Sequence, residues 1–486
     1  MALQIDQPKS PVPRSRRSRG LVPAPAPRAR GRDGGVRRRV GPGDFAPARA
    51  RAARLRLTVG ARAISSIGDG LVFVAFPLLA ASLTRNPLLI AGVAFASRLP
   101  WLIVGIPAGA LVDRVSRRKL LTVVELARMA VLLSLALAIA THHLVLVELY
   151  MAAFLITTFG TMFDAATMAV LPQLVADADL VHANSRMQVA QVTGEQFIGP
   201  AFGGVLFALA VAIPVAADGA SFAVSAAFLA VALRPPRRIG LHGRPRNPDA
   251  IRLEEPEPQQ SGPSFVTQLL EGLRWLSGEP RLRLVCGLIA SFAFCQALGM
   301  GILVLYCTRA LHLTKTGFGL FLAGAASGEV VGAAIAPRTT LRIGTGRTLL
   351  LAGLLGGAAL VVLGTTTQTP IALAAAAAEA AAVGLGMVAN LSLRQRLIPL
   401  SLAGRVSSAM RSATYSAGAL GTLVGGGLVI AAGAHAPFAI GGAIQLVASV
   451  VLGGALVRLL AGDERDVVDV TETVDLREEP VVVETV

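Results

Sequence analysis

Apolar stretches long enough to cross a lipid bilayer recur along this chain from Thr58 to Leu460. About 20 residues of helix span the ~30 Å hydrocarbon core. Twelve stretches meet that length, at 58–83, 88–110, 119–140, 146–170, 186–211, 212–233, 283–307, 317–337, 347–367, 370–393, 406–433 and 435–460. Only 15% of the 486 residues are charged, 53% are hydrophobic and the mean hydropathy is +0.64. A soluble domain usually carries about a quarter charged residues, and its surface-to-volume ratio leaves too little interior for so much apolar surface. Lipid is therefore part of the solvent, and the predicted fold class is an all-α membrane protein of twelve helices.

Charge in the loops gives the sidedness. Arg114, Arg117, Arg118 and Lys119 lie between predicted spans two and three, Arg338, Arg342 and Arg347 between eight and nine, and Arg394, Arg396 and Arg405 between ten and eleven. The alternate loops hold only Arg85, Arg309 and Lys315, with neutral turns such as Thr365-Thr366-Thr367-Gln368. Basic residues collect on the cytoplasmic side, so both termini are expected there. The same rule accounts for much of the net charge of +16, and no nucleic-acid partner is expected. Arginine supplies 42 of the 45 basic residues, a bias that points to a GC-rich bacterial genome and a bacterial plasma membrane.

Residues 1–56 hold fourteen arginines and Lys9 against Asp6, Asp33 and Asp44, with no apolar run of signal-peptide length. They read as a disordered basic cytoplasmic tail that can touch anionic headgroups. Residues 57–233 form a predicted N-terminal six-helix bundle, and 282–460 a C-terminal one. Between them, 234–281 is a cytoplasmic linker with seven prolines in 234–263, followed by an amphipathic segment, Ser264 to Ser277, carrying Phe265, Leu269, Leu270, Leu273 and Leu276 at helical spacing. Residues 461–486 are an acidic cytoplasmic tail.

The halves echo each other. Pro172 opens a connection leading to Gly199-x-x-x-Gly203-Gly204 in span five, and Pro399 one leading to Gly421-x-x-x-Gly425-Gly426 in span eleven. Such spacing at equivalent positions is expected of two parallel six-helix repeats around a midplane cavity.

Three motifs carry a family resemblance. Gly109-Ala-Leu111-Val-Asp113-Arg114-Val-Ser-Arg117-Arg118-Lys119, at the turn after span two, resembles the major facilitator loop motif G-x-L-a-D-r-x-G-r-k, with Ser116 in place of its second glycine. A glycine at 109 admits a neighbouring backbone, and Asp113 can accept from an arginine or a helix N-terminus. The resemblance implies that this cluster clasps the cytoplasmic ends of the two halves. The equivalent turn after span eight keeps Gly332 but has Ala336 for the aspartate. Gly199-Pro200-x-x-Gly203-Gly204 resembles the span-five motif of exporters in that superfamily, where proline bends the helix and glycines allow tight contact. Phe163-Asp164, Leu171-Pro172-Gln173-Leu174-Val175 and Ala183-Asn184, with Gln395-Arg396-Leu397-Ile398-Pro399 and Gly404-Arg405-Val406, resemble the bacterial branch that includes the enterobactin exporter and the macrolide efflux proteins. The resemblance covers roughly residues 58–460. It implies a secondary active transporter that exports a small molecule (drug, antibiotic, siderophore or other secondary metabolite) by alternating access, in antiport with protons. Span four lacks the arginine of the proton-linked motif, so coupling has to be sought in other residues.

Ionisable residues at membrane depth are costly and functional by default. Asp69 and Arg98 reach similar depth and are expected to pair. Glu195, Glu329 and Glu379 lie inside spans five, eight and ten, while Asp164 and Arg128 fall nearer the cytoplasm, where they are expected to brace the gate. For each carboxylate, a structural pair and a substrate or proton site are both open readings. Asp69 and Glu195 lead as proton carriers.

Competing classes are weaker. No His-rich metal motif, nucleophile elbow or nucleotide loop occurs, so no enzyme activity, metal or cofactor is expected. Cys286, Cys295 and Cys307 read as buried thiols. A nutrient importer, or a non-transporting receptor on the same fold, is the alternative. The expected partners are a small-molecule substrate, protons and lipid, with the chain a monomer. Asp113→Asn is expected to reach the membrane at wild-type level and to lose transport activity; normal transport by normally inserted protein would remove the gating role.

Overall fold

The computed structural model describes residues 45–103, 116–175, 179–233, 274–398 and 402–461, which form helices and short connections with no strand among them. From Pro47 onward the chain is one compact unit. Most of the basic tail, most of the linker with its amphipathic segment, the loop 104–115 and the acidic tail lie outside the described residues.

In chain order the helices are α1 (Phe45–Leu83), α2 (Pro87–Ile103), α3 (Arg117–Ala140), α4 (Leu146–Leu174), α5 (Leu180–Val192, continued by Gly199–Leu209) and α6 (Ile213–Ala232). Then follow α7 (Pro280–Met300), α8 (Lys315–Ile343), α9 (Thr345–Thr365), α10 (Thr369–Leu397), α11 (Ala403–Ala432) and α12 (Ala436–Ala448, continuing to Ala461). Eleven are long and apolar enough to cross a membrane, and α2 is described over 17 residues. Each lies where a predicted span lies. Several boundaries differ: α5 begins at Leu180 and not 186, α7 ends at Met300 and not 307, α8 ends at Ile343 and not 337, and residues 45–56, expected to be disordered, are the first turns of α1. Alanine and arginine dominate in residues 45–56 and are among the best helix formers.

The exposed surface is what lipid requires. On α3 the outward positions are Val123, Leu126, Leu133 and Leu137, between 43% and 64% exposed. The opposite face buries Glu125 and Arg128 at 0% and 3%. Charge inside and hydrocarbon outside inverts the soluble pattern, because here the solvent cannot solvate an ion.

Packing follows the duplication. In the first half α3 packs on α4 and α6, and α2 on α4; in the second, α9 packs on α10 and α12, and α8 on α10. Among the described residues the halves are joined most closely by α2 with α11 and α5 with α8, which exchange under the same repeat. The glycine motifs occupy equivalent seams. Gly199 of α5 lies against the Gly70 backbone of α1, and Gly425 of α11 lies against the Leu298 carbonyl of α7. With no hydrophobic drive between helices in lipid, such backbone approach supplies the packing energy.

At Gly425 any Cβ would collide with that carbonyl, whereas a Cβ on Gly427 meets nothing within 4 Å. Gly425→Leu is therefore expected to cost at least about 1–3 kcal/mol and to lower the melting midpoint in detergent, while Gly427→Leu on the same helix leaves it near wild type.

Candidate translocation site

Four helices, α1, α3, α4 and α6, bring ionisable side chains into the interior of the first half. Arg128, midway along α3, donates to the Asp69 carboxylate on α1 and lies over the Phe222 ring of α6, 3.9 Å from its centre. Arg62, two turns before Asp69 on α1, pairs with Asp164 of α4 at 3.0 Å. Ser225 of α6 donates to Glu125 of α3, and Ser221 donates to Asp218 one turn earlier on α6, both at 3.0 Å. Glu125 and Asp218 are fully buried. Gly68 is required beside them, since a Cβ there would overlap the Asp218 carboxylate. Helical spacing explains the convergence: Glu125 and Arg128 are three residues apart, so both face inward from α3.

This corrects two sequence expectations. Asp69 pairs with Arg128, not Arg98, because α3 and not α2 presents its charged face to the middle of α1. Arg128 and Asp164 thus belong to the charged interior, and the sequence reading missed Arg62, Glu125 and Asp218 altogether. A charge at i and i+3 in an apolar span was the available signal for Glu125.

Arg98 instead faces the other half. It lies against Gly418 of α11, and one turn on, the Trp101 ring stacks on Tyr415 at 4.9 Å between centres and 6° between planes. The remaining carboxylates find amides. Gln191 donates to Glu195 at 3.3 Å, Gln296 of α7 donates to Glu379 of α10 at 3.2 Å, and Glu329 of α8 faces Gln196 of α5 across the two halves. An arginine favours the ionised carboxylate. An amide donates to a carboxylate and accepts from a carboxylic acid, so it suits either state.

Glu195 and Gln196 sit in a wider helical turn, Thr193–Ile198, that splits α5 directly before Gly199-Pro200. Pro200 has no N–H to close an ordinary turn, and π turns of this kind cluster at functional sites. Beyond it, Gly203 packs on Leu71 of α1, and Gly204 meets Lys315, Thr316 and Gly319 of α8 at the arginine-poor end of the molecule. At the same end Gly426 of α11 approaches α2, where a Cβ would stand 2.9 Å from the Leu88 Cα. Of the loop motif, Gly109, Leu111, Asp113 and Arg114 lie outside the described residues. Arg117 and Arg118 open α3, and Arg117 donates to the Ala169 carbonyl of α4 at 3.2 Å. Cys286, Cys295 and Cys307 are buried and unpaired with one another. Among the described residues no group of His, Cys, Asp and Glu could hold a metal ion.

The pattern of the family described as "Transmembrane secretion effector" matches residues 43–485. The chain belongs to that family of major facilitator transporters. It is 28% identical over 399 residues to the multidrug efflux pump Tap of Mycolicibacterium fortuitum, covering 79% of this chain and 91% of that one. It is 26% identical over 385 residues to the MFS-type transporter YfiS of Bacillus subtilis, covering 77% and 86%. A crystal structure of the nucleoside transporter NupG, in a point-mutant form, superposes with a TM-score of 0.65 at 12% identity, covering 84% of this chain and 99% of that one. This last likeness establishes the fold. The protein is accordingly a multi-pass membrane transporter, its family one of transporters and not of enzymes.

Removing one partner of a buried ion pair costs about 3–5 kcal/mol, while replacing both by apolar groups is often near neutral. Arg128→Met alone is expected to lower the melting midpoint sharply, and Asp69→Leu combined with Arg128→Met to recover much of the loss. A double variant as unstable as the single one would show that Arg128 acts through other partners.

Proposed function

We propose that the protein exports a small molecule from the cytoplasm of a bacterium across the plasma membrane, as a monomer, in antiport with protons. Direction is supported by the similarity to an efflux pump over most of both chains and by the Gly199-Pro200-x-x-Gly203-Gly204 motif, whose glycines form the α1–α5 and α5–α8 contacts. The fold likeness to a nucleoside transporter says nothing about direction, so the importer reading gains no support from it.

One observation carries the mechanism. Glu195 lies in the π turn at the junction of the halves, with Gln191 as its partner and, among the described residues, no cation bonded to it. A carboxylate so placed can take up and release a proton as access alternates. Asp69, the other leading candidate, is held by Arg128 in this conformation and would accept a proton only when that pair parts. The basic loops are assigned to the cytoplasm, with both termini. The glycine contacts at the opposite end, between α5 and α8 and between α2 and α11, then correspond to closure on the outside, with the substrate path facing in. Arg98, Glu329 and Glu379 are assigned to the walls of that path. Arg98 with the Trp101–Tyr415 stack meets α11, and Glu329 meets α5.

The test begins with a resistance and accumulation screen in a pump-deficient host, which supplies a transported compound. Reconstitution in vesicles with an imposed pH gradient follows. Wild type should drive uphill movement that collapses with a proton ionophore. Glu195→Gln should lose uphill movement and keep downhill exchange of the same compound. Uphill efflux indifferent to the ionophore rejects proton coupling, and full coupling in Glu195→Gln moves the assignment to Asp69.

A further inference from the structure

The charged interior of the first half has more carboxylates than arginines can neutralise. Among the described residues, Arg62 is paired with Asp164 and Arg128 with Asp69. Glu125 and Asp218 are left over. Both are 0% exposed, each accepts one serine hydroxyl on one oxygen, and the second oxygen of each, Glu125 Oε2 and Asp218 Oδ2, is buried with no hydrogen-bond partner. An ionised carboxylate with a bare oxygen in the interior of a membrane bundle costs several kcal/mol, and such a group neutralises itself instead. Among the described residues no cation is bonded to either one.

We propose that Glu125 and Asp218 are a proton-holding pair, sealed between α3 and α6 away from the substrate path and linked to Asp69 through Arg128. The groups facing the pair give the link its sign. Asp218 is faced by Asp69 from α1 and by Arg128 and Glu125 from α3; Glu125 is faced by Arg128 on its own helix and by Arg62 and Asp69 from α1. Asp164 of α4 bears on Arg128, and Glu195 of α5 bears on Asp69. Arg128 is thus shared between Asp69 and the pair, and it can fully compensate one carboxylate at a time. If a proton moves from Asp218 to Asp69, Arg128 turns from the second to the first. One O–H bond breaks on Asp218, one forms on Asp69, and the cluster keeps its net charge. Asp69, with 21% of its side chain exposed, then exchanges that proton with water. The fully buried pair cannot touch a substrate, so its effect on transport would act through Arg128. That place in the cycle rests on the proton-coupled reading above; the protonation itself does not.

The experiment is infrared spectroscopy of the purified full chain in lipid vesicles at neutral pH, with no transported compound present. A protonated carboxyl gives a carbonyl stretch that shifts in heavy water. The expected result is such a band, reduced in Asp218→Asn and further reduced in Asp218→Asn with Glu125→Gln. Ser221→Ala should move the band without removing it, since that hydroxyl bonds the Asp218 carbonyl. Melting gives an independent readout. Asparagine mimics a protonated aspartate, so Asp218→Asn should keep the wild-type midpoint, where Asp218→Asn combined with Asp69→Asn, which leaves Arg128 neither aspartate, lowers it. A band untouched by both pair substitutions, or a midpoint loss in Asp218→Asn as large as in the double variant, overturns the proposal. A responsive band together with ionophore-insensitive efflux upholds the pair and rejects proton-driven export. The converse combination rejects the pair alone.

Discussion

Lipid offers no hydrogen bonds, and the rest of the molecule depends on that. Every backbone group at membrane depth must be satisfied inside its own segment, so the spans are helices. The same medium removes the hydrophobic drive that would press those helices together. What remains is close approach of backbones, and it is concentrated where side chains are missing. Gly199 on Gly70 and Gly425 on Leu298 are the same seam in the two repeats, α1 with α5 and α7 with α11. Gly204 with Gly319, and Gly426 with Leu88, are the seams between the halves. A transporter must hold itself together and also change shape, and the glycine seams serve both needs because the contacts are many, short-ranged and weak singly.

The two halves share an architecture and differ in their electrostatics. The first half contains the ion pairs Arg62–Asp164 and Arg128–Asp69 with the extra carboxylates Glu125 and Asp218. In the second half, Glu379 meets Gln296 and Glu329 meets Gln196, without a cation in either pair. An arginine pair favours an ionised partner only while the pair holds, whereas an amide pair accepts either protonation state at small cost. Glu195 belongs to the amide class although it lies in the first half, and it does so at the π turn of α5, where helix geometry is already irregular. Amide-partnered carboxylates thus lie at the junction of the halves, as Glu195 and Glu329 do, and inside the second half, as Glu379 does. The arginine-held carboxylates Asp69 and Asp164 sit deep in the first half.

The chain's own sequence determined a good deal. The number of spans, their places and the division into six and six follow from the length of apolar runs, because a bilayer has a fixed thickness. The family follows from glycines, a proline and an aspartate at turn-defining spacings, and the match over residues 43–485 agrees. The echo between Gly199-x-x-x-Gly203 and Gly421-x-x-x-Gly425 was legible for the same reason: backbone contact demands the absence of a side chain, and absence is visible in a sequence. The first turns of α1, residues 45–56, were missed because an arginine-rich composition reads as solvated even where its helix propensity is high.

Partnership was decided by tertiary structure alone. The sequence placed Asp69 and Arg98 at like depth, set Arg128 and Asp164 nearer the cytoplasm, and so paired Asp69 with the wrong arginine. Depth along a helix is one coordinate, and the azimuth of each helix and its neighbours supply the other two. Only the packed bundle turns Arg128 toward Asp69, sends Arg98 to α11, and closes Glu125 and Asp218 between α3 and α6. Spans and repeats are set by the thickness and polarity of the membrane, which act on each segment separately and so can be read from each segment separately. A charged pair is set by two helices at once, and no single stretch of sequence contains both.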